Sequence, residues 1–293
     1  MANPELAVVA TNLARSGIAG NTSETYSSHQ NQWLAYCNTH SISVLQPSTS
    51  DLCLYIAHQY TRGLSAPTIS AHLSAIRSLQ VSAGMNPMER APLVSRVLTG
   101  VKRSRPAREV KQRLPITTQM LARIAVVVNL AEKEEQMVWT MLLVGVFGLL
   151  RLGELIAVGR GVLMWNGIRW STEGCRLLLP VSKMDQDGRG VWIPFRYNNK
   201  KCICPVRALR SWRTRVGSED GALWNIQATN ARKWFIGRVQ GLLLRAGVEN
   251  AHMYTGHSLR KGGAQSLVDM GAPIEEVKAL GRWSSESWKR YVR

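Results

Sequence analysis

Acidic side chains are scarce in this chain. Only 19 Asp and Glu stand against 37 Lys and Arg in 293 residues, a formal charge of +18 and a pI near 10.3. That imbalance implies a polyanionic partner, with nucleic acid first in line. Charge alone does not separate DNA from RNA or from an anionic membrane surface, and it also fits a basic protein kept soluble by its charge. Cysteine is sparse as well. Five residues, an odd number without framework spacing, argue against a disulfide scaffold and for a reducing compartment. Cys202 and Cys204 have one residue between them and no second Cys or His pair nearby, so buried thiols are expected there rather than zinc. Long apolar runs are missing. The longest, residues 137–150, contains Thr140 and two glycines and is too short to span a bilayer, so it is read as a buried helix. No basic leader precedes an apolar run at the N-terminus, so no signal peptide is expected. Internal repeats and low-complexity tracts are absent from the sequence.

What is present is enough apolar material for a real core, 45% of residues, in one large domain or two smaller ones. The charge is uneven. Residues 1–110 carry nine Lys/Arg against five Asp/Glu, and the remainder carries 28 against 14. Seven basic residues fall between Arg96 and Arg113, opposed by Glu109 alone. Lys102, Arg103, Arg105, Arg108, Lys111 and Arg113 are suited to lie along a phosphate backbone. A solvated linker or a nuclear-import signal would have the same composition.

Residues 1–20 show no clear element and are expected to be flexible. Residues 21–104 read as a small all-helical domain. Thr22 or Ser23 is expected to cap a first helix burying Tyr26, Trp33, Leu34 and Cys37, and Ser50 or Asp51 to open a second with Leu52, Tyr55, Ile56 and Tyr60. Ser65, with Pro67 in the first turn, caps a third whose Ile69, Leu73, Ile76 and Leu79 recur at helical intervals. Leu93, Val97, Leu98 and Val101 mark a fourth. Residues 105–116, basic with two prolines, read as a linker. Residues 117–293 read as a second domain, with helices at 117–130, 133–150, from Cys204-Pro205, from Thr229 to about Arg245, and at 257–270 and 273–280. Between them, residues 162–165, 168–170, 176–179 and 191–195 read as short strands, with turns at Asn166-Gly167 and Asp187-Gly188. The fold class is therefore mainly α with a small antiparallel β-sheet.

The last forty residues hold an ordered set of chemically capable groups: His257 and Arg260 in His-Ser-Leu-Arg, Trp283 in Gly-Arg-Trp, then Tyr291. Upstream, Arg151 follows an apolar helix end, where packing gives an arginine little to do. Attack on a phosphodiester builds negative charge on the nonbridging oxygens, and guanidinium forks match that charge. Arg260 lies one helical turn after His257, so both can face one site. The histidine can donate to an oxygen or exchange a proton near neutral pH. Trp283 offers an indole N–H, and Tyr291 a phenol oxygen as nucleophile. Lys183, just before a hairpin turn, is the candidate general acid for a departing 5′ hydroxyl. Taken singly, each of these residues has a plainer reading as a solvated charge or a packing group. The ordered set is hard to obtain by chance.

These residues resemble the tyrosine recombinases, or phage integrase family. Arg151 fits the Gly-x-Arg-x-x-Glu-Leu-like segment, with Glu154 in its supporting acidic place. His257 and Arg260 fit the His-x-x-Arg box, Trp283 the Gly-x-His/Trp segment, Lys183 the hairpin lysine and Tyr291 the nucleophile. The wording Gly-Arg-Trp-Ser-Ser…Arg-Tyr is similar to recombinases of eukaryotic mobile elements of the Crypton and DIRS type. Trp283 and Tyr291 lie eight positions apart, one fewer than is usual in bacterial and phage members, a spacing that the Crypton-like wording tolerates. Many relatives continue past the tyrosine into a helix that docks on a neighbouring subunit, and this sequence stops two residues after Tyr291.

The resemblance implies a two-domain C-shaped clamp on double-stranded DNA. Its parts would be an N-terminal SAM-like helical bundle, the basic linker, and a mixed α+β catalytic domain of tyrosine recombinase type. It further implies a 3′-phosphotyrosyl intermediate, no metal or other cofactor, no membrane partner, and a tetramer that joins two sites through a four-way junction. The expected location is intracellular and DNA-associated, in the nucleus of a eukaryote or the cytoplasm or nucleoid of a bacterium. Two alternatives stand beside it: a type IB topoisomerase-like nicking-closing enzyme, and a catalytically silent DNA-binding protein descended from a mobile-element recombinase.

Overall fold

The computed structural model describes residues 17, 20–87, 91–104, 114–182, 185, 188–217 and 220–292. The chain forms two compact units, residues 1–110 and 111–293, each with its own apolar core. Helices dominate, and the second unit adds one three-stranded antiparallel sheet. Among the described residues no helix is long and apolar enough to cross a membrane.

The first unit contains α1 (Gly20–His40), α2 (Thr49–Thr61), α3 (Ala66–Ser82) and α4 (Pro92–Ser104). Helix α1 already runs at Gly20, so Thr22 and Ser23 lie inside it rather than capping it. Helix α2 opens on Ser48, not on Ser50 or Asp51. The Ser48 hydroxyl accepts from the Asp51 amide at 3.1 Å, and the Asp51 carboxylate accepts from the Ser48 amide at 2.8 Å. This reciprocal capping box satisfies two otherwise unpaired donors and outcompetes a cap further along. Helix α3 is capped by Ser65, with Pro67 in its first turn.

The core of this unit gathers Trp33, Cys37, Leu52, Tyr55, Ile69 and Ile76. Leu34, expected inside, is 38% exposed, and Tyr36 is buried instead, because positions 33, 36 and 37 share one helix face. Val94 and Val101 anchor α4, while Leu93 faces solvent. Lys102 and Arg103 are exposed in the last turn of α4. Arg105, Arg108, Lys111 and Arg113 lie outside the described residues.

The second unit runs through α5 (Thr118–Val127), α6 (Lys133–Phe147), α7 (Leu152–Leu155), β1 (Ile168–Trp170), β2 (Gly174–Leu179), β3 (Val191–Arg196), α8 (Pro205–Val216), α9 (Ala231–Arg245), α10 (Gly256–Asp269) and α11 (Ile274–Gly281). A 3₁₀ turn over Glu286–Arg290 follows. The apolar run around α6 is its central helix, with every residue from Gln136 to Val146 buried, as expected for a helix that is apolar all round. The sheet has the order β1-β2-β3, with Ile168 opposite Leu177 and Leu177 opposite Ile193, their side chains facing the core.

Several local expectations are corrected. Residues 162–165 do not form a strand. Met164 makes one isolated bridge to Ala222, and Trp165–Gly167 is a 3₁₀ turn. The segment is extended, but its neighbour at 221–223 is too short for a ladder; only the Trp165 amide to the Gly221 carbonyl (2.9 Å) and the Leu223 amide to the Leu163 carbonyl (2.8 Å) are made. Helix α9 is capped by Asn230, whose side chain accepts from the Lys233 amide at 3.0 Å, rather than by Thr229. Cys202 is exposed, while its neighbour Cys204 is buried.

Candidate active site

The site begins where α6 ends. Leu150 donates its amide to the Gly145 carbonyl at 3.0 Å, and Leu149 sits in the left-handed region at φ 48°. This is the reversal that ends many helices, usually with glycine at the left-handed position. A leucine is held there, 2% exposed, with its carbonyl turned toward two arginines. Arg260 Nη1 and Arg282 Nη2 each donate to that oxygen at 3.1 Å, and Arg282 Nη1 donates to the Gly148 carbonyl at 3.2 Å. Carbonyls at a helix C-terminus carry partial negative charge, which is why buried cations settle there.

Arg151 follows at once as the N-cap of the short α7. Its amide donates to Glu154 Oε2 at 2.8 Å, and its Nη1 donates to Glu154 Oε1 at 2.6 Å. Glu154 is 6% exposed and serves three guanidiniums. Arg282 Nη2 lies 2.9 Å from Oε2, and Arg260 Nη1 lies 3.9 Å from the same oxygen. Three cations against one carboxylate leave this cluster at net +2.

Helix α10 supplies His257 and Arg260. Its Gly262 and Gly263 lie directly against the backbone of Ile116 and Val146, where a Cβ would collide with carbonyl oxygens. That close approach brings the first turn of α10 beside the end of α6. The turn is fixed further by Thr255 donating its amide to Ser258 Oγ at 2.9 Å, and by Ile116 donating to the Ser258 carbonyl at 3.0 Å. Arg260 is 1% exposed and also donates through Nη2 to the Gly281 carbonyl. Burial first, then the neighbouring Arg151 and Arg282 charges, hold its pKa down to about 10, and burial likewise lowers that of Arg282. At about 10, Arg260 remains cationic at neutral pH. His257, in the same turn, is exposed.

The chain then returns through Gly281, Arg282 and Trp283. Arg282, not Gly281, is the left-handed residue that ends α11, at φ 56° and ψ 47°. Trp283 is buried against Leu149, Ala264 and Val277, with the Arg260 guanidinium 4.5 Å from its ring centroid. Tyr291, half-buried just after the 3₁₀ turn, packs with its ring tilted at 43° and centred 5.1 Å from that of Trp283. The Arg260 guanidinium lies 5.6 Å above the Tyr291 ring. The Tyr291 hydroxyl lies 3.4 Å from His257 Nδ1.

Arg151, Glu154, His257, Arg260, Trp283 and Tyr291 therefore converge on one place in the second unit. Lys183 lies outside the described residues, as does Asp187. The connection carrying them joins Leu179 to Val191, and Asp185 accepts the Arg189 and Gly190 amides at 3.0 and 2.7 Å. Sequence reading missed Arg282. It stands within the Gly-Arg-Trp motif, but nothing in its spacing shows that its side chain turns inward. Two surplus positive charges, an exposed imidazole and a phenol within reach of it can accommodate an anionic group beside a nucleophile.

Known proteins share the fold that carries this site. Residues 12–83 match the phage integrase N-terminal SAM-like domain. Over 99% of its length the chain is 23% identical to an integrase/recombinase XerD homolog of Selenomonas ruminantium, covering 86% of that protein. Among solved structures it is similar to a lambda integrase (75–356) dimer bound to a COC′ core site, with TM-score 0.59 and 12% identity over 99% of this chain and 95% of that one. The Tn1549 transposon integrase in complex with transposon right end DNA gives TM-score 0.58 and 15% identity over 95% and 91%. The XerH site-specific recombinase in a post-cleavage complex gives TM-score 0.58 and 15% identity over 82% and 67%.

Proposed function

We infer that this chain, built on the tyrosine recombinase fold, is a site-specific DNA recombinase that cleaves and rejoins strands through a phosphotyrosyl bond on Tyr291. The observation that carries this reading is the position of Tyr291. Its ring lies under the Arg260 guanidinium and its hydroxyl lies 3.4 Å from an imidazole nitrogen, all within one chain.

In this mechanism the Tyr291 oxygen attacks phosphorus, the P–O5′ bond breaks, and the phosphoryl group stays on the 3′ side. His257 accepts the phenol proton, and Lys183 gives a proton to the departing 5′ oxygen. Arg151 and Arg260 take the nonbridging oxygens, with Trp283 fixing the plane of the Arg260 guanidinium. The 5′ hydroxyl of a second strand then attacks the phosphotyrosyl bond and restores the phenol. Bond energy is conserved, so rejoining needs no external energy source. The SAM-like domain and the basic residues from Lys102 to Arg113 hold duplex DNA. Four copies on two duplexes complete an exchange, in whichever compartment holds the target DNA.

The test is a suicide substrate. Nicked duplexes bearing a pool of candidate sites are incubated with the protein, and denaturant-resistant adducts are mapped by mass spectrometry. The expected result is an adduct on Tyr291. Tight DNA binding with no adduct would instead make the chain a silent descendant of a recombinase. Supercoil relaxation without exchange between sites would make it a topoisomerase.

A further inference from the structure

Arg282 has no part in the chemistry above, yet it is the most heavily engaged guanidinium of the cluster. It donates to Gly148 and Leu280 carbonyls through Nη1, and to the Leu149 carbonyl and Glu154 through Nη2. Whereas Arg151 is 29% exposed and spends one terminal nitrogen on Glu154, both terminal nitrogens of Arg282 are committed to protein oxygens. Its backbone is left-handed, a conformation in which a side chain is strained and glycine is not. An arginine kept where glycine would sit more easily implies that the side chain is needed.

What the side chain does follows from the oxygens it occupies. Glu154 Oε1 is taken by Arg151, and Oε2 by the Arg151 amide and Arg282. Arg260 approaches Oε2 only to 3.9 Å and remains stacked over Trp283 and Tyr291. Removing Arg282 would leave Oε2 to the Arg151 amide alone and draw Arg260 onto it, away from the Tyr291 ring. The cluster would also drop from net +2 to net +1. A phosphodiester carries one negative charge, and the five-coordinate species formed by tyrosine attack carries two. A net charge of +2 matches the second better than the first.

We propose that Arg282 is a positioning residue that occupies Glu154 so that Arg260 stays over Trp283 and Tyr291 instead of pairing with that carboxylate, and that supplies the second surplus charge needed in the transition state. The proposal rests on the recombinase reading of the site.

The test uses the full chain and a nicked suicide duplex, with noncovalent DNA affinity and the single-turnover adduct rate measured separately. Arg282→Gly removes the side chain and suits the left-handed backbone. It should slow adduct formation by roughly 10² at unchanged noncovalent DNA affinity, whatever melting temperature is lost with its hydrogen bonds. Arg282→Lys keeps the charge without the fork and should fall between the two. An Arg282→Gly rate equal to wild type overturns the proposal. So does a glycine variant whose melting temperature falls with its rate while the lysine variant reacts at the wild-type rate, because the arginine would then serve folding only. A wild-type chain that forms no adduct instead overturns the recombinase reading itself.

Discussion

In each unit a tyrosine hydroxyl meets a histidine ring nitrogen, and the two pairs behave as different chemical objects. In the first unit Tyr55 and His72 share a 2.9 Å hydrogen bond, at 0% and 2% exposure, with His29 stacked on His72 at 4.0 Å. Burial pushes the Tyr55 phenol up to about 12 and, with the neighbouring His29 and Arg62 charges, His72 down to about 4. Neither group ionises near neutral pH, so the pair is core architecture. In the second unit Tyr291 and His257 meet at 3.4 Å, half-buried and exposed, beside a cluster of net charge +2. The residue types are the same. What differs is access to solvent and a cluster of guanidiniums gathered on one carboxylate, the conditions under which a phenol can serve as a nucleophile rather than a packing group.

The sharpest way to break this comparison is to remove each hydroxyl in turn. Tyr291→Phe should abolish the covalent adduct and leave DNA binding intact. Tyr55→Phe should leave the adduct and cost about 1–3 kcal/mol of stability by stranding a buried His72 nitrogen, read from urea denaturation. An adduct that survives Tyr291→Phe would assign the nucleophile elsewhere.

Charge is the next contrast. Glu154→Gln removes the carboxylate that three buried or half-buried guanidiniums share, and should destabilise the second unit by about 3–5 kcal/mol. An unchanged denaturation midpoint would show that the backbone carbonyls alone hold those cations. Arg260→Ala should slow adduct formation by roughly 10²–10³ without weakening DNA binding in proportion. Unchanged cleavage would remove Arg260 from the site.

The last contrast concerns the neutral pair. Folded His72 titrates near 4, whereas an unfolded histidine titrates near 6.5. Between those values the unfolded chain binds a proton that the folded chain refuses. The stabilisation is therefore complete above about 6.5 and is lost as pH falls toward 4, by about 3 kcal/mol in full. Urea midpoints at pH 7.5 and pH 4.5 should differ more for wild type than for His72→Gln. Equal differences would mean that other groups carry the acid sensitivity.

Much of the fold was legible because its signals are local. Ser65 with Pro67, the apolar period of α3, the run that became α6 and the Cys204-Pro205 helix start each depend on neighbours within a turn or two. Signals that failed were competitions between near-equal local choices. Ser48 won over Ser50 because only Ser48 has Asp51 three residues on. Residues 162–165 are extended, but a strand needs a partner, and only one bridge was available.

By itself the sequence determined the helical character of both units and the ordered set of Arg151, His257, Arg260, Trp283 and Tyr291, because residue type and spacing already restrict which chemistry the set can perform. Tertiary structure alone decided which tyrosine–histidine pair is open to solvent, which residues share Glu154, and that Arg282 turns inward from a left-handed turn onto the carbonyl of Leu149, 133 positions away. Contacts at that separation are settled by the close packing of α10 on the end of α6, and by the need of every buried charge for a partner, neither of which is written in any single stretch of chain.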